Sequence, residues 1–325
     1  MTLHEDTDLF NQAIRATAQR MGILDIYIEK DYWVCYALYL IYTGRFKDEV
    51  VFKGGTALSK CYSSIERFSE DIDLVLLRKG GETGSQLKTK LKRITKALTA
   101  PFVEEEIEGI TNKMGMIRKI AYTYPKAFKG NFGQVREHII VEASWLGHFE
   151  PYSTKQISSY IYEMMVNANQ EELAKTHHIL PFDVNVLDVR RTFCEKIMSM
   201  VRFSHTESPI VDLNNKIRHL YDIHMLLQMN DIKEFFMATA FEDMLLLVAK
   251  DDIVSFKTKN EWLEVHPKNA MIFSDSDNVW KQLINTYNSG FKNLVYGELP
   301  KEDDILKTIQ EVSNRLTAIT WNIKV

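Results

Sequence analysis

Asp71 and Asp73 stand in the run Asp71-Ile72-Asp73-Leu74-Val75-Leu76-Leu77, and their spacing suits chemistry. An extended chain alternates its side chains, so acids two residues apart share one side. Two such carboxylates can hold Mg²⁺, a hard ion that takes one or two carboxylates and completes its shell with water and phosphate oxygens. Upstream, Lys53-Gly54-Gly55-Thr56 ends a short apolar run and opens a helical one. Glycine lets the backbone approach a ligand closely, and a helix N-terminus offers free N–H groups to phosphate. The Thr56 and Ser59 hydroxyls add donors. An anion cradle beside a metal pair is what nucleotidyl transfer from an NTP needs. The cradle holds the triphosphate, and the metal activates the incoming hydroxyl and stabilises the leaving pyrophosphate. Alone, the glycine segment is an ordinary tight turn and the aspartate pair a solvated strand edge. Together, in this order, they are specific.

A third acid, Glu142, sits inside the apolar run Ile139-Ile140-Val141-Glu142-Ala143. Buried without a partner it would cost several kcal/mol, so it requires a metal, a cation or a wet strand face. It is either a third metal ligand or the polar side of simple alternation. Arg67 and Arg118 are open to two readings, phosphate contact or salt bridge. Residues 113–136 carry six cations and no acid: Lys113, Arg118, Lys119, Lys126, Lys129 and Arg136. Residues 78–100 carry seven against Glu82 alone. With Tyr124, Phe128 and Phe132 interleaved, the first cluster suits an RNA end gripped through phosphates and stacking; the bland reading is a solvated hairpin. His177-His178 lacks partners at metal-ligand spacing and reads as exposed. The tyrosines and tryptophan at 32, 33, 36, 39 and 42 recur at helical spacing and read as core. Cys194 has no neighbouring His–acid set that would make it a nucleophile.

The elements that must position these residues follow from periodicity. Helices are expected over 9–22 and 28–42, then a strand over 49–53, a short helix over 57–64 and a strand over 71–77. A helix over 84–100 and strands over 102–108, 115–124 and 136–146 follow. The last two strands are joined by the turn-rich Tyr124–Val135, which contains Pro125, Gly130 and Gly133. Beyond Pro151 the pattern turns helical, over 154–166, 170–176, 190–203, 214–229, 231–248, 277–294 and 301–319, with an extended piece at 179–187. The expected fold is α/β (α+β): residues 1–150 form a catalytic core with N-terminal helices, and residues 151–325 a mainly helical domain.

Composition sets the outer limits. The 325 residues are 45% hydrophobic and 26% charged, so the chain has ample apolar surface for a core. Scarce Gly (14) and Pro (7) favour helices over a many-turned β fold. Forty cations against 44 acids give −4, which excludes coating nucleic acid through bulk charge. Three scattered cysteines and no CxxC point to neither a disulfide framework nor a zinc ribbon. The reducing cytoplasm is the expected compartment, with neither a signal peptide nor a membrane span.

Lys53 to Lys60 followed by Arg67-Phe68-Ser69-Glu70-Asp71-Ile72-Asp73-Leu74 resembles the first motif of the AbiEii/AbiGii nucleotidyltransferase toxins, which include MenT toxins and share the DNA polymerase β-like fold. The resemblance extends upstream to Ile28–Val34 and downstream to Leu187–Lys196 and Arg218–Ile223, and covers about residues 28–230. It implies a polymerase β-like mixed sheet flanked by helices. It implies Mg²⁺ on Asp71 and Asp73, Ser69 and Thr56 near the triphosphate, and catalytic roles for Lys196 and Asp222. Lys196 would contact nucleotide phosphates. Asp222 would orient Lys196 or the ribose, or act as a general base; its bland alternative is a surface pair with Arg218. The resemblance further implies a toxin of a bacterial toxin–antitoxin or phage-defence system, an AbiEi-like antitoxin, and RNA, the tRNA 3′ end, as acceptor. The rivals are a protein or small-molecule acceptor, and a nucleotide-binding partner protein without catalysis.

Overall fold

The computed structural model of the chain describes residues 1–130, 135–256 and 259–325. Phe132 and Gly133 of the expected connection lie outside the described residues. The chain divides into two compact units. The first comprises Met1–Ser63, Phe68–Trp145 and Phe149–Leu187; the second comprises Ser64–Arg67, Leu146–His148 and Asp188–Val325.

The first unit holds helices α1 (Thr7–Met21) and α2 (Asp25–Tyr42), strand β1 (Val50–Lys53), α3 (Gly54–Tyr62), β2 (Ile72–Leu76) and α4 (Gly84–Thr95). Strands β3 (Val103–Glu105), β4 (Ile117–Thr123), β5 (Ile139–Ser144) and β6 (Tyr152–Ile157) follow, then α5 (Tyr160–Asn167), α6 (Glu171–Thr176) and β7 (Phe182–Leu187). All seven strands form one sheet in the order β3-β4-β5-β2-β1-β7-β6. β2 runs parallel to β5 and β1 parallel to β7, and the remaining neighbours are antiparallel. The mixed sheet flanked by helices agrees with the expected fold class.

The middle of the sheet buries apolar residues on both faces. Phe52, Leu74, Ala143 and Ile120 belong to the main core with α1, α2, α4 and α5. Val51, Val75 and Leu187 form a smaller cluster of their own. Register explains the division. Val51 pairs with Val75, and Phe52 with Leu74, so neighbouring residues serve opposite faces. The aromatic run of α2 is core, as its spacing predicts: Tyr32, Trp33 and Tyr42 are buried, and Tyr36 stacks on Tyr39 at 6.4 Å.

One expected helix is two elements. Residues 154–166 divide into β6 and α5, because Tyr152–Ile157 pairs antiparallel with β7 along its whole length. Ser159 then caps α5 by accepting the Tyr162 N–H. The sheet therefore continues well beyond residue 150.

The second unit is helical: α7 (Val189–Phe203), α8 (Pro209–Asn215), α9 (Ile217–Leu227), α10 (Asn230–Met237), α11 (Thr239–Ser255), α12 (Met271–Ser274), α13 (Ser276–Thr286) and α14 (Glu302–Thr317). The expected helix over 231–248 breaks at Ala238, whose extended backbone separates α10 from α11. All three cysteines are free and buried. Among the described residues no helix is long and apolar enough to cross a membrane.

Three consecutive charged residues on α2 are buried, and each anchors a different segment of the first unit. Glu29 accepts the N–H groups of Ala127 (2.6 Å) and Phe128 (3.1 Å). Lys30 donates to the Arg136 carbonyl. Asp31 pairs with the buried Lys60 and accepts the Tyr160 N–H at 2.8 Å. Removing one partner of a buried pair strands the other charge. Asp31→Ala is expected to lower unfolding free energy by about 3–5 kcal/mol. Asp31→Ala combined with Lys60→Met should cost less than the two single changes summed; urea denaturation of the three variants measures this.

Candidate active site

The site begins where β1 becomes α3. Lys53 ends the strand, and the helix starts at Gly54 with no side chain capping it. The first-turn N–H groups of such a helix have no partner within it. Gly54 has φ +82, a backbone conformation that side chains oppose. A Cβ there would run into the Asp73 carboxylate, its nearest neighbour. Glycine is required twice over, and the acid lies against the main chain of the helix start. Thr56 donates to Ser69 at 3.1 Å, which joins the hydroxyls of the two motif halves. Ser59 faces elsewhere and shares a 3.4 Å hydrogen bond with the Tyr160 hydroxyl.

Strand pairing places Asp73 in a row of charges. Lys53 stands opposite Asp73 in the β1–β2 ladder, Asp73 opposite Glu142 in β2–β5, and Glu142 opposite Lys119 in β5–β4. Directly paired residues share a face, so the row reads cation, acid, acid, cation. Glu142 is ion-paired with Lys119 at 3.0 Å. Asp71 sits just before β2 rather than within it, and Arg136 grips it with hydrogen bonds of 2.8 and 3.1 Å. The motif is pinned from beneath by Phe68, which is buried and stacks on Tyr27 at 4.7 Å. Glu70, also buried, accepts the Arg136 N–H at 3.3 Å.

Asp73 differs from its neighbours. Among the described residues its carboxylate makes no hydrogen bond or ion pair. Burial, followed by the charges of Glu142 and Asp71, raises its pKa to about 7. An enclosed acid crowded by two others needs either a proton or a cation. Asp71 and Asp73 therefore fit Mg²⁺ by donor chemistry: two hard carboxylates, with phosphate and water left to complete the shell. Glu142 is adjacent but engaged by Lys119. Among the described residues no group of three or more Asp, Glu, His or Cys side chains is arranged to hold a metal ion.

The later motif residues lie in the second unit, around Asp222 of α9. Arg67 donates to both Asp222 oxygens, each at 2.7 Å, and Lys196 of α7 pairs with the same carboxylate at 2.6 Å. All three side chains are buried. Burial opposes the Asp222 charge, but Arg67 and then Lys196 more than offset it, and the carboxyl stays well below the usual range. Burial lowers the Lys196 pKa, with Asp222 opposing that shift. The surface pair with Arg218 is thus replaced by an internal cluster, and Arg67 resolves as a salt-bridge partner. Cys194 is enclosed, its thiol pKa pushed well up by burial.

The basic stretch 113–136 is largely neutralised by acids from other segments. Lys113 pairs with Glu104, Lys119 with Glu142, Lys126 with Glu137 and Arg136 with Asp71. Sequence reading grouped Lys119 and Arg136 with RNA contacts and passed over Lys53; the structure puts all three among the site's acids. Cross-strand register joins Lys53 and Lys119 to the acids and side-chain hydrogen bonds join Arg136, and no local sequence signal carries either.

The family model described as "Nucleotidyl transferase AbiEii toxin, Type IV TA system" matches residues 37–308. Among solved structures the chain is similar to MenT4, a nucleotidyltransferase toxin from Mycobacterium tuberculosis H37Rv. Identity is 15% and the TM-score 0.50, over 94% of this chain and 98% of that one. At that identity the likeness is one of fold. No curated protein matches the chain in sequence.

Two pH-linked outcomes follow from the charges. Asp73 holds its proton more tightly folded than unfolded, so ionisation costs stability. With chelator present, Asp73→Asn should raise the melting temperature by an increment that grows from about pH 4 to about pH 7 and is flat above. Asp222 is shifted the other way, so its contribution is complete above its unfolded pKa and declines as pH falls below about 4. Asp222→Asn should cost about 3–5 kcal/mol at pH 7, since Arg67 and Lys196 lose their counter-charge. Thermal melts across pH measure both effects.

Proposed function

The chain belongs to the AbiEii nucleotidyltransferase toxin family of type IV toxin–antitoxin systems, and from there we propose a Mg²⁺-dependent transfer of NMP from an NTP to RNA, with the tRNA 3′ end as acceptor. The family implies an antitoxin partner. We read it as an AbiEi-like protein encoded alongside, the compartment as the cytoplasm and the setting as phage defence.

The observation that carries this reading is the Asp73 carboxylate lying against Gly54 at the start of α3. It brings an anion-accepting helix N-terminus beside an acid that makes no ion pair among the described residues. In the proposed reaction, the amides of Gly54, Gly55 and Thr56 receive triphosphate oxygens, and the Thr56 and Ser69 hydroxyls add donors. Asp71 and Asp73 hold Mg²⁺, which when bound supplies Lewis acidity at the α-phosphate and lowers the pKa of the acceptor hydroxyl. That hydroxyl attacks the α-phosphorus. One P–O bond forms, the bond to the bridging oxygen breaks, pyrophosphate leaves, and the hydroxyl's proton passes to solvent. Asp73 would give up its proton to a bound cation, and Asp71 would exchange its hold on Arg136 for that cation. Glu142 keeps the pair electron-rich while Lys119 limits the local charge. Lys196 is assigned a phosphate contact in the transition state, and Asp222 the task of holding Lys196 in a single position.

Incubation with α-labelled NTPs and total RNA, alongside protein and aminoglycoside acceptors, tests the reading. Label should enter RNA, and Asp71→Ala and Asp73→Ala should each reduce it at least about 1000-fold while remaining folded. Lys196→Arg should not restore activity, because a planar guanidinium presents donors differently from an ammonium. Label in protein or aminoglycoside alone would transfer the chemistry to another acceptor. Tight NTP binding without pyrophosphate release would make the protein a binder rather than an enzyme. Cation binding has its own readout: calorimetry at pH 6 should show proton release on adding Mn²⁺ or Mg²⁺, absent in Asp73→Asn.

A further inference from the structure

Ion pairs engage four of the six cations in residues 113–136 and Lys90 in residues 78–100, and several that remain come together. A groove of about 670 Å³ opens in the first unit between α4 and the start of β4. Lys88 and Lys92 line it from α4, and Lys113 and Arg118 from the other side; Leu91 and Ile117 add apolar surface, and no acid lines it. Lys88 and Lys92 are exposed, and among the described residues neither has an ion-pair partner. They are spaced i, i+4, so they project from one helical face about 5–6 Å apart. Lys113 is tied to Glu104 at 2.9 Å and lies 3.6 Å from Glu106, and it contributes less.

Arg118 makes this more than a lysine-rich helix face. Its Nε donates to the Thr95 hydroxyl at 2.8 Å, and Thr95 is fully buried. β4 is held by β3 on one side and β5 on the other. The guanidinium is thus fixed by a neutral acceptor. Its charge is uncompensated, and among the described residues its two terminal nitrogens make no hydrogen bond. A pre-set fork of this kind suits phosphate oxygens.

We propose that this groove seats the sugar–phosphate backbone of the RNA acceptor, independently of its sequence. The proposal rests on the RNA reading above and extends it to a surface apart from the carboxylates. Three cations without acid partners in a chain of net charge −4 favour a polyanion of regular spacing. Among the described residues no aromatic ring lines the groove, which argues for backbone contact over base stacking. Arg118 and Lys119 are consecutive, so they face opposite sides of the sheet. The groove adjoins Ile117, about 7 Å along β4 from the Lys119–Glu142 pair. A polynucleotide is long enough to rest in the groove and bring its end round to the acids.

The test uses the full-length protein without NTP and a fluorescent tRNA, read by anisotropy over a salt series. Lys88→Glu with Lys92→Glu should weaken binding at least about 10-fold, and Lys88→Ala with Lys92→Ala should lower the slope of log K against log salt by about 1.4, the share of two phosphate contacts. Arg118→Gln should weaken binding, and Arg118→Lys should recover part of the loss. NTP affinity should not change. Unaltered tRNA affinity in folded variants overturns the groove, as does equal competition by poly-glutamate, which would mark an acidic protein surface. DNA of the same length competing equally would retain the phosphate contact but overturn RNA as its particular occupant. Label transfer to RNA by the unaltered protein reports on the reaction separately. If transfer persists while groove variants bind normally, only the groove fails; if the protein neither labels nor binds RNA, both fall.

Discussion

Three carboxylates crowded into a partly enclosed corner of a sheet set the problem that the rest of the first unit answers. Asp73 and Glu142 are direct cross-strand neighbours, and Asp71 precedes Asp73 by two residues. Burial and then the charges of Glu142 and Asp71 raise the proton affinity of Asp73. The protein answers unequally. Lys119 covers Glu142 and Arg136 covers Asp71, while Asp73 is left pressed on Gly54 with an elevated pKa. Full neutralisation would make a stable but inert corner. One acid left without an ion pair, beside a helix start with unpartnered N–H groups, is the imbalance on which the proposed cation and triphosphate site rests.

Holding that arrangement takes structure well beyond the motif. Burying three charged side chains in succession on α2 costs desolvation that only good pairing repays. Each is paired to backbone or to a buried partner, and two of the three, Glu29 and Lys30, bind the main chain of Ala127, Phe128 and Arg136, the last of which reaches Asp71. Lys30 is partly held charged by Glu70 and Asp71 against burial, which still lowers its pKa to about 8. The Ile28–Val34 run is therefore the brace behind the acids as well as a core helix. In the second unit the same economy of pairing recurs with the opposite excess: Arg67 and Lys196 share the single carboxylate of Asp222.

What the sequence made legible was local. The strand–glycine–helix turn, the paired aspartates and the sheet class rest on periodicity and on residue types with few alternatives, and β1, α3 and β2 lie where that logic predicts. Elements that depend on a distant partner were harder to read. Tyr152–Ile157 resembles the start of a helix until β7, some thirty residues away, supplies its ladder. Asp222 resembles a helix-surface acid until Arg67, 155 residues earlier in the chain, reaches it. Ser59 sits one turn along α3 from Thr56, yet its hydroxyl turns to Tyr160.

Charge shows the same limit most sharply. A run of cations in sequence is a positive surface only if the fold brings no acids to it. Lys119 has no acid beside it in the chain and Arg136 has Glu137, yet in space they pair with Glu142 and Asp71. Lys126 finds Glu137, Lys90 finds Glu82, and Arg93 lies over the Phe46 ring. Subtracting these pairs leaves a smaller positive feature whose members come from both sequence clusters, with Arg118 oriented by a buried threonine rather than by an acid. Neither cluster alone describes that feature, since it exists only where α4 packs beside β4. The acids of the sheet thus do two things at once: they create the unmet demand at Asp73, and by drawing Lys119 and Arg136 to themselves they determine which cations remain for a polyanion.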